Sequence, residues 1–401
     1  MVKRKIVLAY SGGLDTSVAI PWLAEKYDAQ VVTVTVDVGQ GRDLEAIRQK
    51  ALQTGAVRAV VVDGRETFVR EFVWPALQAG AIYEEQYPLA TALSRPLLAR
   101  YLVEAALQEE AWAVAHGCTG KGNDQVRFDV GVQALTPHLR VIAPAREWGM
   151  SRDEEKTYAQ KRGIPIPQEQ GRHTYSVDEN LWGRAIEGED LEDPWREPPE
   201  DAYAWTVPVH KAPAEPTYLE IEFQEGVPRA LNGEELSGVA LINQLNSLAG
   251  EQGVGRIDHL ENRLVGIKSR EVYEAPAGVV LHAAHRALET LTLGKEQQRL
   301  RALFAQQYAD LVYNGLWYSA FREDLDAFVR STQRFVSGTV RVRLHKGSCT
   351  VVGRRSPYSL YQFGLATYGK GDQFDHMAAE GFIKIYGLPV RIQSQTQQKK
   401  V

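Results

Sequence analysis

Two segments of this 401-residue chain carry residue types that could do chemistry on a phosphate ester. The first is Ser11-Gly12-Gly13-Leu14-Asp15-Thr16-Ser17. Adjacent glycines reach backbone dihedrals that bare their amides, and a helix opening directly after them adds partial positive charge, so this is an anion site. The hydroxyls of Ser11, Thr16 and Ser17 can donate to phosphate oxygens. Asp15 would repel a phosphate unless it holds a cation or orients the turn, which points to magnesium. A capped turn is the ordinary alternative, since serine, glycine and aspartate are common there too. The two commonest nucleotide signatures do not apply: there is no G-x-x-x-x-G-K-[ST], and no G-x-G-x-x-G follows the first strand. The second segment is 116–128 (HGCTGKGNDQVRF). Its three glycines let a ligand approach the backbone, and Thr119, Asn123 and Asp124 offer donors and acceptors. Lys121 and Arg127 offer charge for a carboxylate or phosphate.

Positioning these segments requires strands that end beside each other. Residues 5–10, 31–37, 59–63, 112–116 and 140–143 are short and rich in β-branched or apolar types. Helix-like stretches at 16–26, 44–54, 66–78 and 95–110 separate them; in the last, Leu97, Leu98, Tyr101, Leu102 and Ala105 recur at helical spacing. This alternation predicts an α/β fold with a mainly parallel, doubly wound sheet that binds ligands at its carboxyl edge. Prolines 165, 167, 194, 198, 199, 208, 213 and 216 then make a long irregular crossing. Beyond it, 217–223 reads as a strand, 234–249, 278–293 and 296–312 as helices, and 339–344 with 348–352 as a hairpin around Lys346-Gly347. The expected division is a nucleotide-binding domain over 1–167, an α+β domain over 168–364 and a C-terminal arm over 365–401. The arm has a helix at 375–386 and a polar end.

Composition narrows the function classes. Forty-six basic against fifty-one acidic residues give a net charge of −5, which argues against a dedicated nucleic-acid partner. No apolar run approaches the ~18 residues of a membrane helix, and the N-terminus lacks a signal-peptide pattern. Cys118 and Cys349 match neither a C-x-x-C nor a zinc spacing, as expected in a reducing compartment. The expectation is a cytoplasmic enzyme. His282 and His285 have no third ligand in sequence and read as structural, while His116 sits at a strand end beside the site.

SGGLDTS resembles the pyrophosphatase loop of the N-type ATP pyrophosphatases, which cleave ATP between the α and β phosphates. The string 116–128 is similar to the argininosuccinate synthetase family within that class. Further matches run along the chain: Val38-Gly39-Gln40, 84–96 (EEQYPLATALSRP), 175–181 (YSVDENL), 191–193 (LED), 253–262 (GVGRIDHLEN), 266–277 (GIKSREVYEAPA) and 311–318 (LVYNGLWY). The resemblance implies condensation of citrulline with aspartate through a citrullyl-adenylate, with ATP and Mg2+ required and AMP and pyrophosphate released. It also implies a homotetramer whose arm crosses to neighbouring subunits. ATP would lie on Ala9, Tyr10, Ser11, Gly12, Gly13, Leu14, Asp15, Thr16 and Ser17, with Val36 and Gly117 near the adenosine. Aspartate would meet Thr91, Thr119, Asn123 and Asp124; citrulline would meet Tyr87, Asn123, Arg127, Ser176, Glu261 and Tyr273. The resemblance gives catalytic roles to Asp15, Asp124 and Arg127, and leaves magnesium mainly on the ATP phosphates, with Asp15 a candidate ligand. An RNA-thiolating member of the same class would need a catalytic cysteine and a basic face. The place of Cys118 inside TGKGNDQ and the negative charge oppose that.

The chain departs from the commonest family pattern at several positions. Ala90-Thr91-Ala92 stands where Gly-Thr-Ser is usual, and Ala185 stands where a serine is usual. Both serines are expected near citrulline, and each lost hydrogen bond is worth roughly 0.5–1.5 kcal/mol net. Val36 also replaces a usual alanine.

Overall fold

The computed structural model describes residues 3–120, 122–165 and 175–397; Lys121 and the expected domain boundary at 167 lie outside the described residues. Five parallel strands, β1 (Arg4–Ala9), β2 (Ala29–Asp37), β3 (Arg58–Asp63), β4 (Ala113–Ala115) and β5 (Arg140–Ile142), form one sheet in the order β3-β2-β1-β4-β5. Side chains alternate across it. Ile6 and Leu8 pack with Ile20 and Leu23 of the helix Leu14–Tyr27, while Val7 packs in the cluster that holds Leu93 and Leu97 of the helix Ala90–Gln108. The sheet is therefore covered on both faces, as the near-continuous apolar strands require. Strand order runs outward in both directions from β1, so the crevice beyond the carboxyl ends of β1 and β4 is the switch point where such sheets take ligands. The helical run expected at 66–78 spans Arg65–Phe68, Val69–Val73 and Trp74–Ala79, with a π-helical middle segment.

Nine further strands follow among the described residues: β6 (Ser176–Asn180), β7 (Gly183–Glu187), β8 (Thr217–Gln224), β9 (Val227–Leu231), β10 (Glu234–Glu235), β11 (Arg256–Asn262), β12 (Lys268–Glu274), β13 (Gly338–His345) and β14 (Ser348–Arg355). They make two antiparallel sheets, β10-β9-β8-β13-β14 and β11-β12-β7-β6. The hairpin around Lys346-Gly347 is present as expected. The expected helix at 234–249 begins later. Ser237 caps Gly238–Glu251 by accepting from the Ala240 amide at 3.2 Å, and Glu234–Glu235 pair with β9 instead. The four-stranded sheet matters most for chemistry. Its register sets Asp178 opposite Ala185, Ala185 opposite Tyr273, Ser176 opposite Glu187 and Glu261 opposite Ser269. Period-2 alternation thus gathers Ser176, Asp178, Ala185, Glu187, Glu261, Glu271 and Tyr273 on one face.

The chain divides into two compact units between Tyr358 and Ser359. The second carries the helices Phe363–Ala366, His376–Tyr386 and Leu388–Gln397. Asp375 caps the middle one, accepting from the amides of Met377 and Ala378, both at 3.1 Å. Phe382, Ile383 and Ile385 are exposed on it, and Leu388 at the start of the last helix is exposed too. Among the described residues no helix is long and apolar enough to cross a membrane.

Candidate active site

At the end of β1 the chain turns through Gly12 at φ +77°, and the helix Leu14–Tyr27 opens from Gly13. Arg42 donates to the Ser11 carbonyl at 3.2 Å and Lys50 to the Gly12 carbonyl at 2.8 Å, so two cations hold the carbonyl side of the turn. Ser11 and Thr16 share a hydrogen bond of 3.2 Å. Ser17 is fully buried beneath; its Oγ donates to the Gly13 carbonyl at 2.7 Å and lies 3.0 Å from the Tyr10 hydroxyl. Its local work is to brace the turn. A Cβ on Gly117 would come within 2.8 Å of Thr16 Cγ2, so glycine lets the loop after β4 close on the turn. The two segments singled out by residue type thus meet, lining a cleft of about 760 Å3 with Ala9, Tyr10, Ser11–Thr16, Val36 and Gly117 on its walls. Asp15 forms an ion pair with Arg152 at 3.0 Å and is hydrogen-bonded to Glu155. Burial first, and then the neighbouring Asp15 charge, push the Glu155 carboxyl up to about 8.

A smaller cavity of about 110 Å3 adjoins, with the four-stranded sheet as its floor and the first turn of the helix Asp124–Leu135 as a wall. Tyr87, Thr91, Asn123, Asp124, Arg127, Ser176, Glu261 and Tyr273 all line it. Most of them are held in place. The Asn123 amide donates to the Tyr313 hydroxyl at 2.8 Å and its oxygen accepts from the Leu264 amide at 2.9 Å. Glu261 accepts from the Tyr273 and Tyr313 hydroxyls, both at 2.5 Å. Tyr87 stacks on Tyr273 at 4.1 Å between ring centres and accepts from the Thr91 amide at 2.8 Å. Asp124 lies between Arg95 at 2.7 Å and Arg127 at 2.9 Å. Burial opposes its charge, but the two guanidinium groups prevail and hold it down to about 2. Arg127 donates from Nε to the Tyr313 carbonyl at 2.9 Å and from Nη1 to Asp124. Its buried Nη2 has no hydrogen-bond partner, although the residue is only 5% exposed and lines the cavity. A buried donor left this way costs free energy until an acceptor arrives, and a planar guanidinium suits a carboxylate.

The two clefts share Asp124, Ser176, Asp178 and Glu187. The two clefts therefore adjoin along that wall.

Of the residues expected at the site, Ser17 and Thr119 do not line either cleft. Ser17 is covered by the turn, and Thr119 is exposed on the loop, where its carbonyl accepts from the Gly122 amide at 3.4 Å. The two alanines also separate. Ala185 lines the smaller cavity, whereas Ala92 is buried in the helix Ala90–Gln108 away from the lining. The structure adds residues that motif reading passed over: Arg95, Asp178, Glu187, Arg263, Glu271 and Tyr313. Arg95 bridges Asp124 to Asp178, and Arg263 bridges Glu187 to Glu271. Burial, then the Glu187 and Glu261 charges, push Glu271 up to about 9. The i, i+2 spacing of Ser176 with Asp178 and of Glu271 with Tyr273 was the available signal. His116 is buried with Nε2 at 2.7 Å from Asp129. His282 and His285 are both buried and pushed down to about 3, chiefly by burial, so they are neutral core groups.

Two family models match. One described as the Arginosuccinate synthase N-terminal HUP domain covers residues 5–165, and one described as the Arginosuccinate synthase C-terminal domain covers 175–393. Similar curated proteins named argininosuccinate synthase include that of Gloeobacter violaceus, 60% identical over 399 residues, with 99% of this chain and all of the relative covered. That of Symbiobacterium thermophilum is 59% identical over 401 residues, covering both chains fully. That of Dehalococcoides mccartyi is 59% identical over 396 residues, covering 99% of this chain and 97% of the relative. Two family models spanning nearly the whole described chain, together with relatives matched end to end, place this protein in the argininosuccinate synthase family.

Proposed function

We propose that the larger cleft holds ATP and the smaller one holds citrulline with aspartate, the reacting groups meeting at the wall of Asp124, Ser176, Asp178 and Glu187. The reaction itself is that of the family: citrulline and aspartate condense to argininosuccinate in arginine biosynthesis, at the expense of ATP. The ureido oxygen attacks the α-phosphorus, and the bond to the bridging oxygen breaks with its electron pair leaving on pyrophosphate. The aspartate amine then attacks the ureido carbon, and AMP departs with the former ureido oxygen. Alignment, charge stabilisation and exclusion of water are what this sequence needs from the protein.

The single observation that carries the assignment is the unpartnered, buried Nη2 of Arg127 beside Glu261 in the same cavity. Together they offer a donor for an α-carboxylate and a fixed acceptor for an α-ammonium. Asn123 and Asp124 face the same space, and Thr91 extends it, as an aspartate site requires. An Asp124 held ionised to about 2 is a poor base, so its work is to accept from and orient the aspartate ammonium. Ser11 to Thr16 surround the phosphates, with Val36 and Gly117 at the nucleoside end of the same cleft. Asp15, one-third exposed to that cleft, would hold a magnesium ion through its carboxylate oxygen, and the ion would supply neutralisation of phosphate charge. The active form is a cytoplasmic homotetramer, its contact supplied by the exposed apolar residues of the C-terminal helices.

Arg127→Ala tests the assignment. Losing one charge-assisted hydrogen bond of about 1.5–3 kcal/mol raises the citrulline KM roughly 10- to 150-fold and leaves the ATP KM within twofold. An unchanged citrulline KM contradicts the placement. Sedimentation velocity tests the tetramer.

A further inference from the structure

Asp15 puts a negative charge inside an anion site, and the structure supplies its counterweight. Arg152, the first residue of the helix Arg152–Lys161, donates from Nη1 to Asp15 Oδ1 at 3.0 Å. That helix is firmly seated: Ser151 and Glu154 form a capping box, and Ala159 packs with Leu14 and Val18 of the helix that opens from the phosphate turn. The same seating brings Glu155, only 7% exposed, against Asp15 from below. Arg152 and Lys156, one helical turn apart, both line the larger cleft. The other two cations at the turn, Arg42 and Lys50, are bound to its backbone carbonyls. Arg152 is instead 62% exposed and paired at the surface with Asp15, an arrangement that water weakens and that a stronger anion can take over.

We propose that Arg152 is a leaving-group residue: Asp15 tethers its guanidinium at the edge of the phosphate turn, and the β- and γ-phosphates of ATP take that guanidinium over. The inference rests on the assignment of the larger cleft to ATP. As the ureido oxygen bonds to the α-phosphorus, the bridging oxygen keeps the electron pair of the broken bond, and a full negative charge develops on pyrophosphate. A guanidinium forked onto that group stabilises the charge where it forms. Glu155, hydrogen-bonded to Asp15, keeps that carboxylate partnered when Arg152 moves.

The test uses the full chain and exchange of labelled pyrophosphate into ATP, with citrulline present and aspartate absent, together with inhibition by pyrophosphate. Arg152→Ala raises the inhibition constant for pyrophosphate about 10- to 100-fold, the scale of a lost charge-assisted hydrogen bond. The same variant leaves the citrulline KM and the thermal midpoint unchanged, and Arg152→Lys recovers part of the loss. A folded Arg152→Ala protein with an inhibition constant within twofold of the parent overturns the proposal. So does an Arg152→Ala thermal midpoint that falls along with pyrophosphate affinity, which would make the ion pair merely structural. If the unmodified protein shows no citrulline-dependent exchange, the nucleotide assignment falls and this inference falls with it.

Discussion

Placing serine at positions 92 and 185 should have opposite consequences. Ala185 sits on β7 between Asp178 of β6 and Tyr273 of β12, on the sheet face that floors the smaller cavity. A hydroxyl there opens into the substrate space and gains a hydrogen bond worth about 0.5–1.5 kcal/mol net. Ala185→Ser therefore lowers the citrulline KM roughly 2- to 12-fold, with the ATP KM unchanged. Ala92 is 1% exposed, lies in the helix Ala90–Gln108 and is surrounded by core side chains. A serine hydroxyl at that position is buried, and without a partner it costs about 1–3 kcal/mol of stability. Ala92→Ser therefore lowers the urea midpoint and leaves the citrulline KM where it was. Steady-state kinetics with citrulline varied, beside urea unfolding of each variant, separate the two. A citrulline KM that is unmoved in Ala185→Ser and lowered in Ala92→Ser would refute the placement of the two side chains.

Tyr313→Phe removes the hydroxyl that joins Asn123 to Glu261 and leaves a buried carboxylate oxygen without its donor. It should cost about 1–3 kcal/mol in unfolding free energy and raise the citrulline KM, measured by denaturation and kinetics. Glu155, pushed up from 4.5 to about 8, retains its proton longer in the folded chain than in the unfolded one. Its contribution to stability is complete below 4.5 and is lost as pH rises through about 8. Glu155→Gln should flatten that decline between pH 5 and pH 9 in urea titrations; a slope equal to the parent's contradicts it. Arg263→Met breaks the bridge between Glu187 and Glu271 and leaves two acidic groups facing each other in the cavity wall. It should lower the unfolding midpoint, and Glu271→Gln in the same chain should recover part of that loss.

The parallel sheet was readable because its strands are apolar on both faces and its helices alternate with them, so burial and periodicity agree. Ser11–Ser17 and 116–128 were readable for a related reason: glycines beside polar side chains at strand ends have few other uses. The four-stranded sheet was harder. In 176–180, 183–187, 256–262 and 268–274 the residues on the cavity side include Ser176, Asp178, Glu187, Glu261 and Glu271, because that face lines a cavity and not a core. An apolar-in pattern therefore points to the wrong side: Ile186 and Val272 pack behind the sheet with Leu191 and Ala202. Arg95 and Tyr313 stood in quoted motifs, but their roles depend on partners 29 and 190 residues away, a pairing that spacing alone does not reveal. Arg152 is hidden for the same reason, its partner Asp15 being 137 residues away.

The central claim is that the two clefts meet so that the citrulline ureido oxygen attacks the α-phosphorus across their common wall. Citrulline labelled with heavy oxygen in the ureido group tests it most directly, with the products of one turnover read by mass spectrometry. The label should leave in the phosphate of AMP, with none in pyrophosphate or argininosuccinate. Label found in pyrophosphate, or AMP released without label, would contradict the account.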